Sequence, residues 1–233
     1  MINFAVPENQ NTEGDIDLLR GCSATPNDIW TSQIEGTDKD LGEWLESPER
    51  FDRELPEANW CGLCCVRAIA KAHSHTDFET EVPSLIEMFR AAVQKGVYQL
   101  ADTGEYEGAY HYPLADFIRD ELRLPARAIQ NMGISDIHRE VESGNFVIAS
   151  VDPTLRYPGS PTPENPAGHF VLVHGIYFRD LCRLKMLDST GLISQETHIN
   201  PGLPADRFRR FFSGRAILVK SQIPMSYHRG TGW

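Results

Sequence analysis

Asn59-Trp60-Cys61-Gly62-Leu63-Cys64-Cys65-Val66-Arg67-Ala68-Ile69-Ala70-Lys71-Ala72 is the stretch on which the rest of the chain turns. It carries three of the chain's five cysteines within five consecutive positions. Glu49 to Glu57, charged and interrupted by Pro56, runs into it. Behind Cys61 come Ala68, Ala70 and Ala72, with no proline and with glycine only at the start, so the sequence predicts a helix over 61–73 that begins at Cys61. A helix N-terminus offers unpaired N–H groups and the positive end of the dipole, and both favour a thiolate. Cys61 is therefore a candidate nucleophile.

Three other uses of the cluster compete with that one. Trp60-Cys61-Gly62-Leu63-Cys64 has the spacing of a thioredoxin-type redox pair, but that motif follows a hydrophobic strand in a βαβ unit, and 49–57 is not one. Zinc wants four ligands, commonly as two spaced pairs, and no second Cys/His pair is evident. A plain packed helix is the third. On helical spacing Cys64 and Cys65 share roughly the face of Cys61, and they read as small packed residues. No metal and no organic cofactor is implied.

With 233 residues, 41% of them hydrophobic, the chain suits one large domain plus an extension. The division reads as 1–50, an acidic N-terminal extension packed on the main domain, and 51–233, the domain itself. No run approaches the roughly 18 apolar residues of a membrane span, so no membrane partner is expected. Residues 1–14 show neither a basic region nor an apolar signal core. Five cysteines, three of them clustered, make a poor disulfide framework, and a reducing, cytoplasmic setting is expected. The net charge is −11, with 14 acidic against 4 basic residues in 1–60, and 19 against 18 in 61–233. That distribution argues against nucleic acid, which needs a basic footprint. It would attract a basic peptide, or serve simply as a solubilising face.

Helices come first along the chain. At most a short helix is expected around Gly14 to Leu19, and an amphipathic one is suggested by Leu41, Trp44 and Leu45. Others are expected after Pro83, with Leu85, Ile86, Phe89 and Val93 on one face, from Pro113 through Leu122, and from Ser135 as N-cap to Val141. Strands follow. Phe146 to Val151 is a short apolar run, His169 to Phe178 is β-branched and aromatic on both faces, Arg183 to Leu187 returns beside it, and Arg215 to Val219 closes after a helix over 204–212. This is an α+β order. Two loops, Gly104–Tyr112 and Asp152–Pro166, are long enough to wall a cleft.

A nucleophilic thiol needs a base and a group to orient the base. His169 stands where the proline-rich loop ends and the central strand begins, after Ala167 and Gly168. His174, five positions on, faces the other side of a regular strand. If the following turn centres near 179–180, the residue opposite His169 is 189 or 190, which brings Asp188 within reach of its imidazole. Asp180, the competing acid, sits in the turn at the far end.

The segments Cys61-Gly62-Leu63-Cys64-Cys65-Val66, Gly168-His169-Phe170-Val171-Leu172-Val173-His174-Gly175 and Leu187-Asp188-Ser189-Thr190-Gly191 occur in that order. Together they resemble the bacteriocin-leader-type (double-glycine leader) cysteine peptidases and their stand-alone relatives, a branch of the papain-like superfamily. The resemblance spans roughly residues 55–220, including the closing Phe211 to Ile217. It implies a papain-like fold, with N-terminal helices packed on a C-terminal antiparallel sheet. It implies a thiol protease or related hydrolase that cleaves a peptide or amide bond through an acyl-enzyme, with Cys61, His169 and Asp188 as catalytic triad. The family's oxyanion-hole glutamine, six residues before the cysteine, is replaced by Leu55, and Asn59 is the nearest amide that could stand in. The wider papain register would make Cys64 the nucleophile, whereas family likeness and helix start both select Cys61. The same triad could instead pass its acyl group to an amine, or the fold could serve as a peptide-binding module without turnover.

Overall fold

Two strands that are apolar on both faces need cover on both faces, and that requirement arranges the molecule. A computed structural model describes residues 16–18, 60–74, 82–102, 106–177, 183–189 and 202–221. In chain order the elements are β1 (Ile16–Asp17), α1 (Cys61–Ser74), α2 (Leu85–Gln94), α3 (His111–Glu121), β2 (Ala126–Ile129), α4 (Ile134–Glu142), β3 (Asn145–Val151), β4 (His169–Tyr177), β5 (Arg183–Leu187), β6 (Leu203–Pro204), α5 (Ala205–Phe211) and β7 (Phe212–Lys220). The fold is α+β, with helices packed on an antiparallel sheet of order β2-β7-β3-β4-β5-β6. Every residue of β3 from Phe146 to Val151, and of β4 from His169 to Ile176, is buried. Helices α1 and α4 both pack on these two strands, and α3 packs on β2 and β7. No described helix is long and apolar enough to cross a membrane.

The helix starts differ from expectation in instructive ways. Pro83 lies outside α2, whose N-cap is Ser84. The Ser84 hydroxyl accepts from the Glu87 amide at 3.3 Å, and the Glu87 carboxylate accepts from the Ser84 amide at 2.8 Å. This capping box satisfies two N–H groups that the helix cannot. Ser84→Ala is expected to cost about 1 kcal/mol of unfolding free energy, read from urea denaturation. Likewise α4 starts at Ile134 rather than after Ser135, because the Asp136 carboxylate accepts the Gly133 amide at 2.9 Å. Helix α3 starts two residues before Pro113.

Of the stretch 14–19, the described residues 16–18 form no helix. Instead β1 pairs antiparallel with β4, Ile16 opposite Ile176 and Asp17 opposite Gly175. Because β5 occupies the other side of β4, β1 lies on the β3 side, beyond the Val147–Val173 pair, where the β3–β4 pairing ends. The Leu18 amide donates to the His174 carbonyl at 3.0 Å, and Leu18 joins the core. The rest of 1–50, including the helix expected around Leu41, Trp44 and Leu45, lies outside the described residues.

The β4–β5 hairpin pairs Tyr177 with Arg183 and Leu172 with Leu187, with a bulge between Val173 and Gly175. Its turn lies outside the described residues, but the register sets its centre near 180. On that register Asp188, one residue past β5, arrives at the end of the sheet where β4 begins. The same end receives the last residues of β3, since Val151 pairs with His169 and Ser150 with Phe170.

Candidate active site

Cys61 is the first residue of α1 and is buried. The Cys64 amide donates to the Trp60 carbonyl at 2.9 Å, the first bond of the helix. The amides of Cys61 and Gly62 therefore precede the helical ladder and have no acceptor within it. The next amide position is met from outside: the buried Tyr98 phenol hydrogen-bonds the Leu63 backbone. The start of α1 puts the positive end of the helix at the thiol.

Gly62 is required by space. A Cβ there would stand 3.0 Å from Leu114 Cδ2, 3.2 Å from Ala109 Cβ and 3.3 Å from Phe170 Cδ2. Its absence lets α3 and the start of β4 close on the start of α1. Gly168, by contrast, is required by conformation: its φ is +100°, and a Cβ would meet only Pro153 at 4.0 Å. That turn feeds His169 into β4, so the glycine does more than leave room.

His169 joins the two other side chains. Its Nε2 lies 2.6 Å from Asp188 Oδ1, and the two side chains are 5% and 0% exposed. The His169 side chain also interacts with Cys61, which helps to raise its pKa. With Nε2 turned to the carboxylate, Nδ1 is the nitrogen left for the thiol. The Phe170 amide adds a contact to the Cys61 Sγ at 3.4 Å. Burial pulls the His169 pKa down, but the Asp188 bond, the Cys61 bond and the negative charges of both outweigh it, and the pKa is pushed up to about 9. A protonated His169 beside the Asp188 carboxylate is the favoured state near neutral pH.

Cys64 and Cys65 are buried and form no disulfide. Burial, then the charge at Cys61, pushes both thiols well above their ordinary range, so they stay protonated. Cys64 touches Ser189, the neighbour of Asp188, and so backs the site from inside. Among the described residues no three His, Cys, Asp or Glu side chains converge in a way that could hold a metal ion.

The other sequence candidates fall elsewhere. His174 is buried at the β4 bulge, five residues along the strand from His169. Asn59, Leu55 and Asp180 lie outside the described residues. His111 is not singled out by the sequence, yet its ring stands edge-on to Phe170, with centroids 4.9 Å apart. Burial, and then the positive charge of Arg215, pulls its pKa down to about 4, so the ring is neutral. The signal available in the sequence was its setting, Tyr110-His111-Tyr112 at the junction of a long loop and a helix.

No family model matches the chain, and no curated protein matches it. Among solved structures, the chain is similar to one from Bacillus anthracis described as a "putative C39-like peptidase", with a TM-score of 0.55 and 12% identity over 91% of this chain and 100% of that one. At that identity the likeness is one of fold: the helices and antiparallel sheet described above form a papain-like arrangement of the C39-like peptidase kind.

Proposed function

We propose that this protein is a cysteine hydrolase that cleaves a peptide or amide bond through an acyl-enzyme. The observation that carries the reading is the placement of His169, with one ring nitrogen 2.6 Å from Asp188, beside Cys61 at the start of α1, which helps to raise its pKa. In this mechanism Cys61 Sγ attacks the substrate carbonyl carbon. His169 holds the proton taken from the thiol and gives it to the leaving amine as the C–N bond breaks. Asp188 orients the ring and favours its protonated form. The Cys61 amide, at the open helix end, donates to the oxyanion, and Asn59 is the side chain proposed to join it. Water then attacks the thioester, His169 takes its proton, and the acid and the free thiol are released. The acidic balance of residues 1–60 favours basic peptides as substrates.

A peptidyl acyloxymethyl ketone, followed by mass spectrometry, tests this. One adduct is expected, on Cys61 and not on Cys64 or Cys65. His169→Ala should slow its formation by at least about 100-fold. Labelling no faster than that of an ordinary thiol, and indifferent to His169→Ala, would sink the catalytic reading.

A further inference from the structure

The mechanism leaves His111 unused, and its setting is unusual. It opens α3, an 11-residue helix, in the same layer of contacts that closes on Gly62, for Ala109 and Leu114 flank it in sequence and pack there. Its ring lies against Phe170, whose ring approaches Gly62 and whose amide approaches the Cys61 sulfur at 3.4 Å. His111 thus stands on the α3 side of Cys61, behind Phe170. The residue is half-buried, and Nε2 is enclosed with no hydrogen-bond partner among the described residues. Burial and Arg215 keep the ring neutral, so it carries one proton. An enclosed N–H without an acceptor costs more than placing that proton on the other nitrogen, where water or a ligand can accept it. The proton therefore belongs on Nδ1, and the ring offers a neutral, fixed N–H donor. Tyr110 and Tyr112, 40% and 59% exposed, stand on either side of it.

We propose that His111 is a substrate-binding residue of this cleft, donating from Nδ1 to a backbone carbonyl oxygen of an extended peptide chain bound over Cys61, with Tyr110 and Tyr112 flanking that chain. The proposal rests on Cys61 being the acylated nucleophile. It makes the preferred substrate a peptide rather than a small amide, because a donor remote from the reacting carbonyl is useful only to a chain with further carbonyls. A neutral donor also suits a basic peptide, which an imidazolium would repel.

The experiment compares two reagents on the full chain. A peptidyl acyloxymethyl ketone carries backbone carbonyls, and iodoacetamide carries no peptide chain, so the ratio of their rates at Cys61 reads peptide recognition separately from thiol reactivity. His111→Phe keeps an aromatic ring on Phe170 and removes the donor; it should lower the ratio about tenfold, the worth of one hydrogen bond. His111→Gln, which returns an N–H, should recover most of the loss, and it stands in if the phenylalanine variant folds poorly. An unchanged ratio in His111→Phe overturns the proposal, as does a wild-type ratio no greater than that of a free thiol. If wild-type Cys61 is no more reactive than a free thiol toward either reagent, the acyl-enzyme reading itself has failed, a result visible before any His111 variant is made.

Discussion

Asp188→Ala is expected to lower the rate of Cys61 acylation by a peptidyl electrophile by about 10²–10⁴-fold. Two effects combine. The imidazole loses the carboxylate that sets its orientation at 2.6 Å, and it loses the negative charge that favours its protonated form. The same change should also cost about 3–5 kcal/mol of stability, because it leaves one member of a buried pair without its partner. Asp188→Asn separates the two effects, since the amide oxygen can still accept from Nε2 while the charge is gone. Its signature is in the pH profile. With the wild type, activity that depends on a protonated His169 falls as pH rises through about 9, where His169 loses its proton. In Asp188→Asn burial is opposed by less, so the fall comes at lower pH. Stability follows the same sign. The His169 pKa is raised from its ordinary 6.5, so the protonated ring stabilises the fold fully below about 6.5, and this contribution is lost as pH rises through about 9. A wild-type limb at the same pH as the Asp188→Asn limb would show that the carboxylate does not govern the imidazole.

Trp60→Ala is expected to cost about 3–5 kcal/mol, the largest stability loss of any single core truncation considered for this chain. Trp60 is fully buried, with its ring 5.5 Å from that of Phe89. Phe89 in turn meets Tyr98 at 5.1 Å and Tyr106 at 5.4 Å, so the indole anchors an aromatic cluster beneath the start of α1. Its indole N–H has no partner among the described residues, so it contributes volume and ring contacts rather than a hydrogen bond. Trp60→Phe should therefore retain more than half of the stability that Trp60→Ala loses. Chemical denaturation followed by circular dichroism gives both numbers, and a loss under about 1.5 kcal/mol for the alanine variant would show that the cluster does not depend on this ring. Because the Trp60 carbonyl also accepts the first hydrogen bond of α1, thiol reactivity at Cys61 should fall with stability.

The parts of this structure that the sequence announces are those with strong periodicity or unbroken apolar runs. Alanines and the absence of proline mark α1, and doubly apolar runs mark β3 and β4. The convergence of His169 and Asp188 follows from hairpin symmetry alone: a centre near 180 places 188 opposite the start of β4, and the bulge after Val173 alters this little. The convergence on Cys61 is less local, and only the order of motifs hinted at it.

What stays hidden has equally physical reasons. Strand β2 is four residues long, with Arg127 exposed between buried Ala126 and half-buried Ala128, and only its pairing with β7 makes it a strand. Strand β1 is two residues, below any periodic signal. The start of α4 is set by Asp136, three residues inside the helix, capping Gly133, rather than by Ser135. His111 was legible only as a histidine between two tyrosines, because its place in the site depends on the tertiary approach of α3 to Phe170.

The short strand β1 has a consequence of another kind. Past the Val147–Val173 pair, the β3-facing side of β4 would present bare N–H and C=O groups to any other extended chain, and such edges seed self-association. Ile16–Asp17 occupies that margin at Gly175 and Ile176, and the Leu18 amide closes on the His174 carbonyl. The margin lies about 20 Å along β4 from His169, by the usual rise of a strand. Residues 16–18 thereby cover that stretch of sheet edge, at the end of β4 remote from His169.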